Sequence, residues 1–344
     1  MKLKDDSFFK TIRNFLTIYL PRQKCYSPNT VDSYRITLNL FIDYLVKVKT
    51  FRIQQISFSH MNKENVSGFL EWLRAERRSG ASTQNQRLMA LRAFAKYAGF
   101  TDAMQVSVHM ELSCIPVKKT KPRIVEFLSE NALKVLLEQP DRNRHLGYRD
   151  CFFMILMYDT AARCQEILDL RLNDFELNSK SPFVYLTGKG GKTRTVPLMQ
   201  KAVEHLKIYL SKFHPTEQRK KDDFLFFTVI HGEKNRMSPD NVASFMKKYG
   251  EMAKQTCNEI PEKIHPHQLR HTRAIHLYRG GMPLALLAEF LGHVELATTQ
   301  IYAYADTEMK RKAIQKACLD SNTPSELPIW GDDEETIRKL YGLR

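Results

Sequence analysis

Any chemistry in this 344-residue chain has to come from scattered cations, histidines and tyrosines, because the compact motifs it suggests at first sight fail on spacing. Gly188-Lys189-Gly190-Gly191-Lys192-Thr193 has the composition of a phosphate-binding P-loop. That motif needs four residues between its first Gly and the Gly-Lys-Thr, and only two are present; the segment also reads as a hairpin tip, not a strand-to-helix turn. His265, His267, His271 and His276 cluster, and the spacing of His267 and His271 on an expected helix could hold zinc. Gln268 stands where a metalloprotease helix carries its glutamate, however, and no Cys or carboxylate cluster follows, so no metal is expected. Nor is there an obvious carboxylate set for a two-metal nuclease. What remains is Arg163, Lys189, His267, Arg270, His293 and Tyr302. Each alone has a structural reading. Arg163 could pair with Glu166 one turn on, Lys189 could be a solvated turn residue, Arg270 surface charge, His293 a helix cap and Tyr302 core.

Taken together and in order, these residues resemble one family. Thr160-Ala161-Ala162-Arg163-Cys164-Gln165-Glu166-Ile167 is similar to the first-arginine motif of the tyrosine recombinases (phage integrases). Thr187 to Leu198 resembles their lysine hairpin, and His267-Gln268-Leu269-Arg270-His271-Thr272 their His-x-Leu-Arg-His segment. Leu291-Gly292-His293 followed by Thr298-Thr299-Gln300-Ile301-Tyr302 resembles the stretch that ends in the nucleophile. The resemblance covers about residues 125–320. Two departures stand out: Ala161-Ala162 replaces the usual Gly-Leu, and Tyr304 stands where a histidine is common. Tyr304 is a rival nucleophile. Residues two apart on a helix point about 200° apart, so only one of the pair can face a phosphate, and the Leu-Gly-His context favours Tyr302.

The resemblance implies that tyrosine attacks a DNA phosphodiester, forming a 3′-phosphotyrosyl bond and freeing a 5′-hydroxyl. The residue types suit that reaction without a metal or cofactor. Two guanidiniums, Arg163 and Arg270, offer fixed planar donors to an anionic transition state. Free tyrosine has a pKa near 10, so about one in a thousand is ionised at pH 7, and it needs a cationic pocket and a base. His267 is the candidate base and later acid, Lys189 the proton donor to the departing 5′-oxygen, and His293 a hydrogen-bond donor to a nonbridging oxygen. Glu166 reads as a buttress. The covalent intermediate conserves the bond energy, so rejoining needs no ATP.

The elements that position this set are mostly helical. Phe8, Phe9, Ile12, Phe15, Leu16 and Tyr19 share one helical face, and helices are expected over Val31–Val48, Val66–Arg74 and Gln86–Tyr97, with a break at Ser79–Ser82. Ile115–Arg123, with two prolines and four cations, reads as a basic linker. Ser129 is an expected N-cap, Cys151–Leu170 a buried helix or helix pair, and Phe183–Val196 a β-hairpin with a basic tip. From Ala202 the pattern is helical again. The expected fold is mainly α with a small β-hairpin or sheet (α+β). A helical domain is expected over residues 1–115, a basic linker over 116–124 and a second domain over 125–320, and the resemblance implies core-site DNA binding for the first and catalysis for the second. The resemblance implies that the two domains close on DNA as a C-shaped clamp. In the tail, 321–344, Ile337, Leu340, Tyr341 and Leu343 are expected to form a helix that could dock on a neighbouring protomer.

Charge points the same way. The net charge is +15, and residues 1–122, with 20 basic and 9 acidic side chains, supply +11 of it. A basic first third suits a polyanion, nucleic acid above all. Arg87, Arg92 and Lys96 on one helix, Lys118 and Lys119 in the linker, and Lys192 and Arg194 in the hairpin are candidate DNA contacts. The longest apolar run, Cys151–Tyr158, has eight residues, and a membrane helix needs about 20. The start, Met-Lys-Leu-Lys-Asp-Asp, lacks the apolar region of a signal peptide, and six scattered cysteines read as reduced thiols, so a cytoplasmic protein is expected.

The resemblance implies site-specific recombination of double-stranded DNA by a homo-tetramer on paired sites, or with a second related recombinase. There is little room before Phe8 for a lambda-type arm-binding domain, and Asp306–Lys312 resembles recombinases of mobile elements, so integration, excision or transposition is favoured. The alternatives are a type IB topoisomerase-like relaxing enzyme and a catalytically silent DNA-binding accessory protein.

Overall fold

The computed structural model describes residues 6–120, 125–188, 190–293 and 295–305, with 311, 314, 315, 338 and 342. Lys189, linker residues 121–124 and nearly all of the tail 321–344, including its expected docking helix, lie outside the described residues. The chain forms two compact units, Met1–Arg123 and Ile124–Arg344.

In the first unit, α1 (Ser7–Asn14) runs on into a wider helix, Phe15–Gln23, and is followed by α2 (Pro28–Lys47), α3 (Lys63–Ala75), α4 (Ala81–Thr101) and α5 (Val106–Ser113). Local chemistry sets the starts. Pro28 occupies the first turn of α2, where its missing N–H costs nothing, and the Asn62 side chain accepts from the Asn65 N–H to cap α3. The 3.6-residue spacing of apolar positions turns Phe8, Phe15, Leu38, Phe41, Phe69 and Phe94 into one buried core, with Phe15 and Phe94 packed edge to face.

Arg92 of α4 does structural work here. Its guanidinium donates to the carbonyls of Leu112 and Ser113 (both 3.0 Å) and of Ile115, satisfying the open end of α5. Arg92→Ala is expected to lower the stability of this unit by about 2 kcal/mol, the order for orphaning part-buried hydrogen-bonding groups. Urea denaturation followed by tryptophan fluorescence checks this, since Trp72 belongs to the same unit.

The second unit comprises α6 (Glu130–Glu138), α7 (His145–Thr160), α8 (Cys164–Asp169), β1 (Phe175–Glu176), β2 (Phe183–Thr187), β3 (Thr193–Pro197), α9 (Gln200–Phe213), β4 (Phe227–Ile230), β5 (Glu233–Arg236), α10 (Pro239–Lys254), α11 (Pro266–Arg279), α12 (Leu284–Leu291) and α13 (Ala297–Ala305). Ser129 caps α6 as its sequence setting suggests, accepting from the Ala132 N–H at 3.1 Å. Strands β1-β2-β3 form an antiparallel sheet with Val184 opposite Val196, and Val184, Leu186 and Val196 point into the core. The hairpin β4–β5 was not expected, because residues after Ala202 read as helical. Its turn, His231-Gly232, has both residues at positive φ (50° and 84°), the geometry a two-residue hairpin needs.

The apolar stretch Cys151–Leu170 resolves into two helices. The central helix α7 stops at Thr160 because Ala161 adopts φ 48°, ψ 28°. Left-handed backbone costs an L-residue roughly 1–2 kcal/mol, which accounts for the glycine usual at this place in the family pattern. The break turns the chain so that Arg163 stands at the N-cap of α8 instead of inside a helix.

Candidate active site

Three arginines converge near the start of α8. The Arg163 Nη1 lies 2.7 Å from Glu166 Oε1, and its Nη2 reaches the Gly292 carbonyl at 3.5 Å. Arg194, from β3, holds the same carboxylate through two bonds of 3.1 and 2.8 Å and donates to the Phe290 carbonyl at 3.1 Å. Gly292 ends α12 at φ 65° and lets Arg194 pass, since a Cβ there would stand 3.0 Å from the guanidinium. Arg270, of α11, is 1% exposed and donates to the carbonyls of Ala161 and Leu291, both at 2.7 Å. The strained turn at Ala161 thus presents the carbonyl that seats the second arginine. Burial and the neighbouring Arg163 charge lower the Arg270 pKa to about 10, so it stays cationic at neutral pH.

Burial alone would raise the Glu166 carboxyl, but hydrogen bonds and charge from Arg194 and Arg163 outweigh it and hold the pKa at about 2. An unpaired carboxyl titrates near 4.5, so this network stabilises the fold fully above that pH and is lost as pH falls toward 2. The shift corresponds to about 3 kcal/mol. Glu166→Gln is expected to cost about 3 kcal/mol at pH 7 by leaving two guanidiniums unneutralised, and clearly less at pH 3. Urea midpoints of both proteins at the two pH values test this.

His293 is fixed by what surrounds it. Its Nε2 lies 3.0 Å from Arg270 Nη2, which can only donate, so Nε2 is the bare nitrogen. Nδ1 then carries the hydrogen and donates to Thr299 Oγ1 at 2.8 Å, a residue buried in α13. In this state His293 accepts from an arginine, whereas the sequence suggests a donor to a phosphate oxygen. Burial and the cations Arg270, Arg163 and Arg194 lower its pKa to about 4, so it is neutral at pH 7.

Tyr302, three residues beyond Thr299 on α13, is 1% exposed and packs with Ala161, Ala274, Ile275, Leu287 and Leu291. Its hydroxyl lies 2.8 Å from His271 Nδ1. Burial raises the phenol pKa, against the lowering pull of Arg270 and Arg163. His267 is exposed one turn earlier on α11, with its ring edge-on to His271 at 5.1 Å, and burial of its buried part followed by the Arg270 charge lowers its pKa. In sequence His271 is the last histidine of the His-x-Leu-Arg-His segment and half of a rejected zinc spacing, with no role of its own; the signal that could have found one is its place next to Arg270, on the face of α11 that meets α13. His276, in the same histidine cluster, is occupied structurally, bonding Leu128 O at 3.1 Å and Tyr158 Oη at 2.9 Å. Among the described residues no group of three or more His, Cys, Asp or Glu could hold a metal ion.

The structure therefore brings Arg163, Arg270, His267, His293 and Tyr302 to one side of the second unit, and Lys189 lies outside the described residues. A cleft beside them is lined by Arg163, Lys192, Arg194, His293 and Thr298, with Glu289 and Glu295. Of the expected DNA contacts, Lys192, Lys119 and Lys96 are exposed, the last 5.8 Å over the Phe100 ring. Others have internal partners that the sequence did not reveal. Arg194 serves Glu166, Arg92 serves α5, Arg87 donates to Ser33 O and Thr37 Oγ1 (3.2 and 2.9 Å), and Lys118 reaches Gln84 Oε1 at 2.5 Å. Their charges do structural work, which counts against a primary role at a phosphate backbone.

A helical unit followed by one in which two arginines, histidines and a buried tyrosine meet is the arrangement expected of the class the sequence resembles, DNA breaking and rejoining enzymes that use tyrosine. The pattern of the phage integrase family matches residues 126–309, and that of its N-terminal SAM-like domain residues 12–99; the chain belongs to this family of tyrosine recombinases. It is 31% identical to tyrosine recombinase XerC of Pelotomaculum thermopropionicum, over 89% of this chain and 97% of that protein. It is 30% identical to XerD of Listeria monocytogenes serovar 1/2a, with the same coverage. Its fold is similar to the Tn1549 transposon integrase in complex with transposon right-end DNA (TM-score 0.66, 15% identity, 90% of this chain and 99% of that one). It is also similar to the XerH recombinase in its post-cleavage complex with palindromic difH substrate (TM-score 0.64, 21% identity, 91% and 90%). The chain is an enzyme of site-specific DNA recombination.

Proposed function

We propose that Tyr302 attacks a DNA phosphodiester, displaces the 5′-oxygen and carries the strand as a 3′-phosphotyrosyl ester until a second 5′-hydroxyl reverses the step. The observation that carries this reading is the convergence of Tyr302 with Arg270 through two links, Arg270–His293–Thr299 on the tyrosine's helix and Ala161, whose carbonyl holds Arg270 and which shares one buried apolar cluster with Tyr302. Arg163 and Arg270 bind the nonbridging oxygens and stabilise the charge that grows on them. Lys189 donates a proton to the departing oxygen, and His267 acts on the exposed side of the pocket. To donate to phosphate, His293 must exchange its acceptor bond with Arg270 for a bound oxygen. Tyr302 is buried in this state, so the side chains that cover its hydroxyl must open before phosphorus can reach it.

The first unit, with residues 1–115 and the linker 116–124, is the DNA-binding arm. The catalytic part spans 125–320. Lys192, Lys119 and Lys96 are the backbone contacts that the exposed charge favours. The assembly is a homo-tetramer on two DNA sites, acting in the cytoplasm, and among the described residues no helix is long and apolar enough to cross a membrane. Use in moving a mobile element, and not in resolving chromosome dimers, rests on the sequence of Asp306–Lys312.

The test is a supercoiled plasmid carrying two copies of a duplex that the protein itself selects from a random-sequence pool. Resolution into two circles, dependent on both copies, is expected. Relaxation without site preference would make the protein a topoisomerase.

A further inference from the structure

We propose that His271, and not His267, is the group that receives the phenolic proton of Tyr302. The proposal rests on the reading that Tyr302 is the nucleophile. In the step, the Oη–H bond breaks, the proton passes to His271 Nδ1, and the oxygen's electron pair forms the bond to phosphorus. The 5′-oxygen leaves with the pair of the broken P–O bond and is protonated by a separate donor.

Geometry carries the assignment. A proton acceptor must lie within about 2.6–3.2 Å of the atom it deprotonates. His271 Nδ1 is 2.8 Å from Tyr302 Oη, and no hydrogen bond joins His267 to that hydroxyl; its ring meets the His271 ring instead. The pair is also shielded, since Tyr302 is fully buried and His271 half-buried, so water does not compete for the bond. His271 is held neutral. Burial, with the neighbouring His267, Arg270, His265 and His293, lowers its pKa to about 4, so the ring is uncharged throughout the neutral range, and proton transfer requires the tautomer in which Nδ1 is the bare nitrogen. The charged or titratable groups facing it are His265, His267 and Arg270 along its own helix and cap, His293 from the turn after α12 and Tyr302 from α13. A phosphate seated on Arg163 and Arg270 offsets the cationic part of that set, which raises the basicity of His271 when substrate is present. Proton transfer and attack are thereby coupled to DNA binding.

The experiment compares His271→Asn, His271→Ala and His267→Asn with the wild type. Single-turnover rates of covalent adduct formation are measured from pH 3.5 to 9 on nicked duplexes selected from a random pool. Asparagine can still accept a hydrogen bond but cannot take up a proton. Both His271 variants are expected to lose about a hundredfold or more in rate, the lower range for general-base catalysis, and to lose the acidic limb of the profile. DNA binding in gel shifts stays unchanged. His267→Asn is expected to keep that limb. Full rate and profile in His271→Asn would overturn the proposal and leave His271 as a positioning residue only. Loss of the limb in His267→Asn alone would overturn it in favour of His267. Nitrogen-15 shifts of His271 in the wild-type protein provide an arm independent of variant folding. A bare, hydrogen-bonded Nδ1 that changes in Tyr302→Phe is expected, and a protonated Nδ1 at pH 7 would refute the assignment. If the wild type forms no adduct that Tyr302→Phe abolishes, the nucleophile reading itself fails and the proposal falls with it.

Discussion

Tyr302→Phe is expected to abolish covalent protein–DNA adducts while leaving DNA binding intact. The hydroxyl is the atom that bonds to phosphorus, so its loss returns cleavage to the uncatalysed rate, a fall of at least about 10⁶-fold, the low end of enzymic enhancement. The ring stays in its apolar bed among Ala161, Ala274, Ile275, Leu287 and Leu291. The fold therefore loses only the 2.8 Å bond to His271, a cost of about 1 kcal/mol. Tyr304→Phe is expected to form adducts normally. Adduct yield on denaturing gels, beside gel-shift affinity, reads both variants. An adduct that survives in Tyr302→Phe and vanishes in Tyr304→Phe would place the nucleophile two residues later.

Arg270→Ala is expected to reduce the cleavage rate by about 10³-fold or more, because each preorganised donor to a developing oxyanion contributes about 10²–10³. Its effects also reach past the phosphate. The carbonyls of Ala161 and Leu291 lose their donor, at a cost of about 1–3 kcal/mol each where they stay buried and dry. His293 Nε2 loses its partner as well. Arg270 is among the charges that hold the pKa values of both His271 and His293 at about 4. Removing it is therefore expected to move both upward toward the ordinary histidine value, so the residual rate shifts its acid limb to higher pH. Arg270→Lys keeps the charge but not the planar fork that spans two carbonyls and a histidine. It is expected to recover part of the stability, leave the histidines depressed and regain little rate. Single-turnover cleavage with urea denaturation separates the chemical loss from the structural one. Equal rates in Arg270→Ala and the wild type would remove Arg270 from the phosphate site.

Much of the site is legible in the chain because its chemistry depends on residue types that keep a fixed local spacing. His267, Arg270 and His271 share one helical segment, Leu291-Gly292-His293 forms one C-cap, and Ser129 caps its helix by a bond three residues long. What stays hidden are the bonds that cross the fold. Glu166 finds Arg194 28 residues on, Tyr302 finds His271 31 residues back, and Arg92 reaches the end of a helix that follows it. Nothing in the neighbourhood of Arg194 or Arg92 distinguishes an arginine held by internal carbonyls from one left free for phosphate. The left-handed Ala161 is a similar case. Alanine is the strongest helix former, so local propensity favours continuing α7 through it, and only the seating of Arg270 on its carbonyl explains the break. The hairpin after Phe227 was missed because its strands are short and mostly exposed, so no apolar alternation marks them.

The central claim is that Tyr302 carries the broken strand, and the most direct measurement is the identity of the linked residue. The trapped adduct would be digested with protease and nuclease and the nucleotide-bearing peptide sequenced by tandem mass spectrometry. The expected result is a 3′-phosphate esterified to the Tyr302 hydroxyl, with a free 5′-hydroxyl on the released strand. A nucleotide on Tyr304, a 5′-phosphate linkage, or cleaved DNA with no linked peptide would contradict the account.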